Sequence, residues 1–189
     1  MSYESGFLVN GYMIVSDKYS EVASYDNGTI CGVKTGDKTT TANVFHHEGK
    51  LAAVGTYVGV AEFYDGEDGY GLQDEDHSIT IEIRDADLNE VICTKTADFD
   101  FDGYYVIELD EPIEVTDFAV VVTYNGYAPV EGDDVEIHTT LNYVADSNPG
   151  ESFVLLNGEW FDTSDPSAQE VLGTVIAPNN CCIKALFVE

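Results

Sequence analysis

The chain has 189 residues, enough to bury a sizeable core in one domain without disulfides or a structural metal. It carries 36 Asp and Glu residues against 7 Lys and Arg residues, a formal net charge of −29 at pH 7. Electrostatic repulsion therefore makes nucleic acid and anionic membrane surfaces poor partners, and we expect neither. No apolar run reaches the roughly 18 residues that a membrane-spanning helix needs, so we expect no membrane insertion.

Residues 1–40 are predicted to form an N-terminal arm or linker. A short apolar strand at 12–15 is followed by a polar stretch that turn residues interrupt at 26–28 and 35–37. The first residues contain neither a positively charged segment nor an apolar one, so no signal peptide is visible. The chain is then either cytosolic or a part of a longer protein.

Residues 41–189 show the pattern of β-strands and are predicted to form one domain. A long strand spans 51–64, where Gly55 and Gly59 indicate bulges or close packing. The segment 78–84 (SITIEIR) alternates isoleucines with polar residues, which predicts one dry and one wet face. Further strands are predicted at 91–96, 104–109, 118–124, 135–141, 152–156, 159–161 and 182–188.

The connections between these strands contain the residues of tight turns. Asp110-Glu111-Pro112 predicts a turn between two strands, and Asn-Gly pairs at 125–126 and 157–158 predict two more. Only residues 164–172 offer one or two helical turns. About ten short strands with frequent turns predict an all-β fold, a jelly-roll β-sandwich of two antiparallel sheets.

An acidic turn at 98–103 (DFDFDG) resembles the start of a calcium loop. Asp98, Asp100 and Asp102 are spaced like the first ligands of an EF-hand, but Leu109 occupies the position of its closing Glu. A different calcium loop and a plain acidic turn, with Phe99 and Phe101 facing the core, both remain open. Calcium is the one cofactor that the sequence suggests, and the acidic loop at 65–76 is a second candidate cluster.

No arrangement of residues indicates catalysis. The chain has neither a Gly-x-Ser-x-Gly elbow nor the cysteine motif of papain-type peptidases, so we expect it not to be an enzyme. Acidic residues are too numerous for a glycosidase pair to be recognised. Four histidines are expected at the surface or at hairpin ends: His46, His47, His77 and His138.

The four cysteines lack the spacing of a zinc site. Cys181 and Cys182 are adjacent in a strand pattern and are expected to be small buried hydrophobic residues on opposite faces. A bridge between Cys31 and Cys93 remains open.

Aromatic residues near loops suggest a carbohydrate-binding surface. Exposed aromatic rings stack on sugar rings, while neighbouring Asp and Asn side chains hydrogen-bond sugar hydroxyls. The candidate contact residues are Trp160, which is the single tryptophan, Tyr70 and Asp74. In the alternative interpretation, Trp160 only closes one end of the sandwich.

Four segments, in this order, resemble a known family. They are LAAVGTYV at 51–58, GYYVIELDEPIEV at 103–115 followed by FAVVV, GESFVLLNGEWFD at 150–162, and CIKALF at 182–187. Together they resemble the lectin-like domain that follows papain-type peptidase domains in bacterial and archaeal cell-surface proteins. The upstream stretch GYMIVSDKYSEVASYD also resembles the linker between the two domains.

The resemblance implies an extracellular jelly-roll domain at the cell surface that serves adhesion or substrate targeting. The catalytic residues would then lie in a neighbouring peptidase domain of a longer chain, and no ligand-contact residue carries over. We therefore expect a non-catalytic module that binds carbohydrate or a cell-wall polymer. The alternative is a structural domain that orients the peptidase and binds no sugar.

Overall fold

A computed structural model describes residues 18–26, 31–60, 77–132, 135–136, 142–143, 147–168 and 178–189. Its β-strands, in chain order, are β1 (Glu21–Ala23), β2 (Cys31–Val33), β3 (Lys38–Val58), β4 (Ile79–Asp85), β5 (Val91–Ala97), β6 (Gly103–Asn125), β7 (Ala128–Gly132), β8 (Val135–Glu136), β9 (Asn142–Tyr143), β10 (Ser152–Leu156), β11 (Glu159–Asp162), β12 (Pro178–Cys181) and β13 (Ile183–Val188). All strand pairs are antiparallel.

Two long strands, β3 and β6, form the ladder on which the other strands are assembled. Residues 38–46 of β3 pair with 117–125 of β6, and residues 49–58 pair with 103–115. The largest sheet runs β1-β13-β3-β6-β4-β5, with β10 and β11 attached to β3. A smaller sheet runs β12-β7-β2, and β8 pairs with β9.

The ladder bends back on itself near two irregularities. The register shifts between His46 and Gly49 and again between Leu51 and Ala53. Thr56 lies opposite Tyr105, which is roughly 60 Å from Tyr124 along a straight strand at about 3.3 Å per residue. The Thr56 and Tyr124 hydroxyl oxygens nevertheless lie only 2.7 Å apart. The two halves of the ladder therefore belong to two facing layers, as bulges allow.

Each layer is completed by neighbouring strands. In the front layer, β5, β4, β10 and β11 flank the 38–46 and 117–125 half of the ladder. In the back layer, β13 and β1 flank the other half. The prediction of an all-β sandwich with antiparallel sheets is confirmed.

The main core fills the space between the layers. Ile79, Ile81 and Ile83 are no more than 2% exposed, so the predicted alternation along β4 is confirmed. Aromatic rings stack across the core, where Phe45 lies 5.5 Å from Phe118 and 5.2 Å from Tyr25. Burial of these side chains provides the main stabilisation of the sandwich, as expected for apolar area removed from water.

The predicted turn at Asp110-Glu111-Pro112 is wrong, because β6 continues through it as one strand. Leu51 pairs with Ile113 and Ala53 pairs with Glu108, so residues 109–112 stand opposite Ala52 alone. Pro112 lies in this bulge, where no ladder bond needs its missing N–H group. The predicted strand at 51–64 likewise begins earlier, at Lys38.

Other local predictions have mixed outcomes. The Asn157–Gly158 turn is confirmed, with φ of 53° and 85°. A helical turn begins at Pro166, and the Asp165 carboxylate caps it by accepting the Ser167 amide. Cys181 and Cys182 are buried as expected, and Cys93 is a free thiol, so the bridge to Cys31 that the sequence left open is not formed.

The predicted boundary near residue 40 stays a prediction, although the described part of the arm contacts the sandwich. Strand β1 pairs with β13, and β2 pairs with β7. The predicted strand at 12–15 lies outside the described residues, as does most of 135–141. Within the described ranges, no helix is long and apolar enough to cross a membrane.

Candidate functional site

The outer face of the front layer presents one continuous row of side chains across six strands. Residues directly opposite each other in antiparallel strands project from the same face. We call the following set the cross-strand row: Thr96, Thr80, Thr123, Thr40, Leu155 and Trp160. These residues lie on β5, β4, β6, β3, β10 and β11, in that order.

The row is partly accessible. Thr96 is exposed, and its other five members are neither buried nor fully exposed. The hydroxyl oxygens of Thr40 and Thr123 lie 2.9 Å apart and hydrogen-bond each other. A hydroxyl can donate once and accept twice, so this pair keeps capacity for further hydrogen bonds.

Beside the row, on the same side of the sheet, lies a second apolar cluster whose central residues are no more than 8% exposed. It consists of Ala42, Val44, Ala119, Val121 and Leu88, with Ala86, Phe153 and Trp160 packed against it. Trp160 is held by the short hairpin of β10 and β11, where it pairs with Leu155. The half-buried ring therefore covers this cluster, and both interpretations of Trp160, as a sugar contact and as a structural plug, stay predictions.

The row itself contains no ionisable side chain. The nearest charged pair on β4 is bonded internally, because Arg84 Nη2 lies 2.5 Å from Glu82 Oε2 and Nε lies 3.0 Å from the same oxygen. Arg84 also donates to the carbonyl of Leu88. The row is therefore an uncharged strip on a protein whose net charge is −29.

The other two predicted sugar contacts, Tyr70 and Asp74, lie outside the described residues. Trp160 is thus the one predicted contact that the structure places. The threonines of the row were missed by the sequence analysis. Outward Thr80 was visible in the alternation of 78–84, but the register that aligns it with the other threonines was not.

The acidic turn at 98–103 is built differently from a calcium loop. Asp98, Asp100 and Asp102 are all exposed. Asp102 is engaged by His77, whose Nε2 lies 2.6 Å from its carboxylate oxygen. Phe99 packs against the core as expected, stacked on Tyr105, whereas Phe101 is 75% exposed, so its predicted burial is wrong.

These three aspartates do not by themselves fit a calcium ion. Calcium takes about six to eight oxygen ligands. In the ranges that the structure describes, no three His, Cys, Asp or Glu residues are grouped so that they could hold a metal ion. The carboxylates that follow the turn are also engaged, because Glu108 pairs with Lys18 and Asp110 pairs with Lys95. Calcium binding stays a prediction, and the acidic loop at 65–76 lies outside the described residues.

The histidines sit at exposed or partly exposed positions, with His138 outside the described residues. His46 Nδ1 lies 2.7 Å from Asp117, and His47 packs its ring 4.3 Å from that of Phe187. Each is thus paired with a structural neighbour.

A buried polar cluster joins the arm to the sandwich. Lys184 Nζ donates to both carboxylate oxygens of Asp26, at 2.7 and 2.6 Å, and the Asp26 side chain is completely buried. Burial raises the pKa of Asp26 above its usual 3.8, while the Lys184 ammonium opposes this shift. Asn180 donates to Glu131, which is also fully buried.

The buried thiols have no reactive thiolate. Burial raises the pKa of Cys181 to about 12 and that of Cys182 well above 9.0. A nucleophilic cysteine needs the opposite shift, because the thiolate is the reactive species. Cys181 and Cys182 therefore act as core residues at neutral pH.

Comparisons with known proteins identify the family of this domain. A family model described as "Lectin like domain" matches residues 22–187. No curated protein matches the chain.

Two solved structures share the fold. One is the clostridial cysteine protease Cwp84 after propeptide cleavage, 16% identical with a TM-score of 0.61, covering 88% of this chain and 39% of that chain. The other contains the cysteine protease and lectin-like domains of Cwp84, a surface layer associated protein of Clostridium difficile. It is 18% identical with a TM-score of 0.58, covering 93% of this chain and 36% of that chain. This chain thus spans less than two fifths of either.

The family match covers nearly the whole chain, from the first strand of the sandwich to the last, and the fold agrees with it. The protein belongs to the lectin-like domain family.

Proposed function

We propose that this domain is a non-catalytic cell-surface module that binds carbohydrate or a cell-wall polymer. The observation that carries the proposal is the position of Trp160, whose partly exposed ring lies at one end of the cross-strand row, two strands from Thr40. A sugar ring presents an apolar C–H face and a rim of hydroxyls, and this surface complements both.

The surroundings of the site support binding without catalysis. The cross-strand row holds no nucleophile with an adjacent base, and the buried cysteines are held as thiols. Cwp84 is described as a surface layer associated protein with a cysteine protease domain beside its lectin-like domain. By analogy, we place this domain outside the cell and beside a peptidase domain of a longer chain, where it directs the catalyst to its substrate.

A glycan microarray tests this proposal. We expect the purified chain to bind at least one glycan, and Trp160→Ala to lose most of that binding. The matched control is Phe101→Ala, because Phe101 is an aromatic residue that is 75% exposed at the acidic turn, which follows β5 at the opposite end of the row from Trp160. No binding by the wild-type chain to any glycan would refute the proposal.

The calcium dependence that the acidic clusters suggested is tested in the same experiment. Binding and thermal melting are measured in calcium and in EDTA. If the wild type loses binding in EDTA, and Asp98→Asn/Asp100→Asn still binds in calcium, the calcium ion belongs to another acidic cluster. Unchanged binding and melting in EDTA would remove calcium from the proposal.

A second candidate function is to orient a neighbouring domain without binding sugar. The observation that favours it is the attachment of the arm, in which Tyr25 stacks on Phe45 and Asp26 pairs with buried Lys184. These contacts fix residues 18–26 against the sandwich, so a preceding peptidase domain would be held in a defined orientation. In a two-domain protein, Lys184→Met would then broaden the distribution of interdomain distances, and the wild type would bind no glycan.

A further inference from the structure

We propose that the ligand is an uncharged, extended glycan chain that lies across the strands of the front layer, along the cross-strand row. This inference rests on the proposed function and adds the class of ligand, its direction and its contact residues.

The direction follows from the register. The row crosses six adjacent strands, so its five gaps of about 4.8 Å span about 24 Å. Its hydroxyls recur once per strand at Thr96, Thr80, Thr123 and Thr40, and then give way to Leu155 and Trp160. A linear oligosaccharide of several residues matches this length, with hydroxyl contacts along it and a stacked ring at Trp160.

The class of ligand follows from charge. The row has no ionisable group, and Arg84 beside it is bonded to Glu82 and to the carbonyl of Leu88. Exposed Lys38 lies two residues before Thr40 on the same face of β3, so one ammonium group flanks the row, but no row residue itself supplies a cation for a carboxylate or phosphate of an acidic polymer. The net charge of −29 repels such a polymer over a longer range. A neutral glycan meets neither obstacle.

The rigidity of the surface favours binding by this face. Its side chains stand on paired strands rather than on loops, and threonine loses little rotamer freedom because it is β-branched. The Thr40–Thr123 hydrogen bond further fixes two of the hydroxyls. Less ordering is then needed when a ligand binds.

The test uses variants that remove hydroxyls but keep shape. Thr40→Val/Thr123→Val removes both members of the hydrogen-bonded pair, so neither partner is left unsatisfied. Thr80→Val is an independent single variant. The matched control is Thr116→Val, the same change at an exposed position of β6 away from the row. All four proteins are probed on a microarray of neutral, uronic-acid and phosphate-bearing glycans, and affinities for the best glycan are measured by calorimetry.

We expect the wild-type chain to bind neutral glycans, the double variant to bind about tenfold more weakly, and Thr116→Val to bind like wild type. Wild-type binding to charged glycans alone would overturn the ligand class. If all variants still bind neutral glycans like the wild type, the row is not the binding site, while the proposed function remains intact. Absence of any glycan binding by the wild type would instead refute the proposed function itself.

Discussion

Lys184 and Asp26 form a buried ion pair in which the ammonium nitrogen lies within 2.7 Å of both carboxylate oxygens. The Lys184 side chain is 12% exposed and the Asp26 side chain is 0% exposed. The pair joins a residue that follows β1 to a residue of β13, and therefore fastens the arm to the back layer.

Removing one member of this pair should destabilise the protein strongly. Lys184→Met leaves a buried carboxylate without its cation, and we expect a loss of about 3–5 kcal/mol at pH 7. Asp26→Leu/Lys184→Met removes both charges and should recover most of the loss. Urea unfolding of the wild type, both single variants and the double variant measures the coupling. Equal losses in the single and double variants would contradict it.

The same pair predicts a pH dependence. The folded-state pKa of Asp26 is raised above 3.8, so its contribution to stability is complete below about pH 4. That contribution is lost as the pH rises through the raised pKa. In Lys184→Met, where the opposing cation is absent, the deficit relative to wild type should therefore shrink between pH 7 and pH 4. A deficit that does not depend on pH would contradict this account.

The hydrogen bond between the layers predicts an order of effects for two conservative variants. Thr56 Oγ1 donates to the carbonyl of Cys182 at 3.0 Å, so the Tyr124 hydroxyl is the donor in the 2.7 Å bond to Thr56. Tyr124→Phe removes one donor and should cost about 1 kcal/mol. Thr56→Val leaves the Tyr124 hydroxyl and the Cys182 carbonyl without this partner and should cost about 2–4 kcal/mol. Chemical denaturation of both variants should reveal this order; the reverse order would refute it.

The buried thiols predict a loss of stability in alkali. The pKa of Cys181 rises from 9.0 to about 12 in the folded state, so its contribution is complete below pH 9 and is lost as the pH rises towards 12. The free energy of unfolding should fall by about 1.4 kcal/mol per pH unit for each such group in that range. Cys181→Val should reduce this slope.

Burial of the two thiols also predicts their reactivity. At pH 8, iodoacetamide should label neither Cys181 nor Cys182 unless denaturant is present, and rapid labelling would contradict their burial.

Alanine substitutions at Gly59, just after β3, and at Gly158, in the β10–β11 turn, should destabilise the protein to different extents. Gly59 has a φ of 77°, and a Cβ atom there would lie 2.0 Å from the carboxylate oxygen of Asp102. Gly158 has a φ of 85° with no atom within 4 Å of a built Cβ. Gly158→Ala should therefore cost about 1–2 kcal/mol from backbone strain alone. Gly59→Ala should cost more, because it also displaces Asp102 from His77, and equal losses in thermal melting would contradict this contact.

Much of the fold could be predicted because its strands have strong local patterns. The isoleucines at 79, 81 and 83 identified β4, and Asn157–Gly158 identified the β10–β11 hairpin. The continuity of β6 could not be predicted, because Asp110-Glu111-Pro112 has the composition of a turn. Only the long-range pairing with β3 shows that these residues form a bulge.

Of the residues in the cross-strand row, the sequence pointed only to Trp160. An aromatic residue next to a turn stands out locally, whereas Thr40, Thr80, Thr96 and Thr123 come from four distant segments. Their alignment depends on the register of three strand pairs, which no local pattern specifies. For the aspartates of the acidic turn the reverse holds. Their spacing in the sequence suggested a metal site, but the structure does not group them so that they could hold a metal ion.

The sharing of β3 and β6 by both layers bears on how the domain folds and unfolds. Because β3 and β6 each run through both layers, one layer cannot unfold without disrupting the strand pairing of the other. The sandwich should therefore unfold in a single cooperative transition. The most slowly exchanging amides should then lie along these two strands in both layers. Because the two strands are far apart in the sequence, the domain should also fold slowly, as is usual for sheets built from distant pairings.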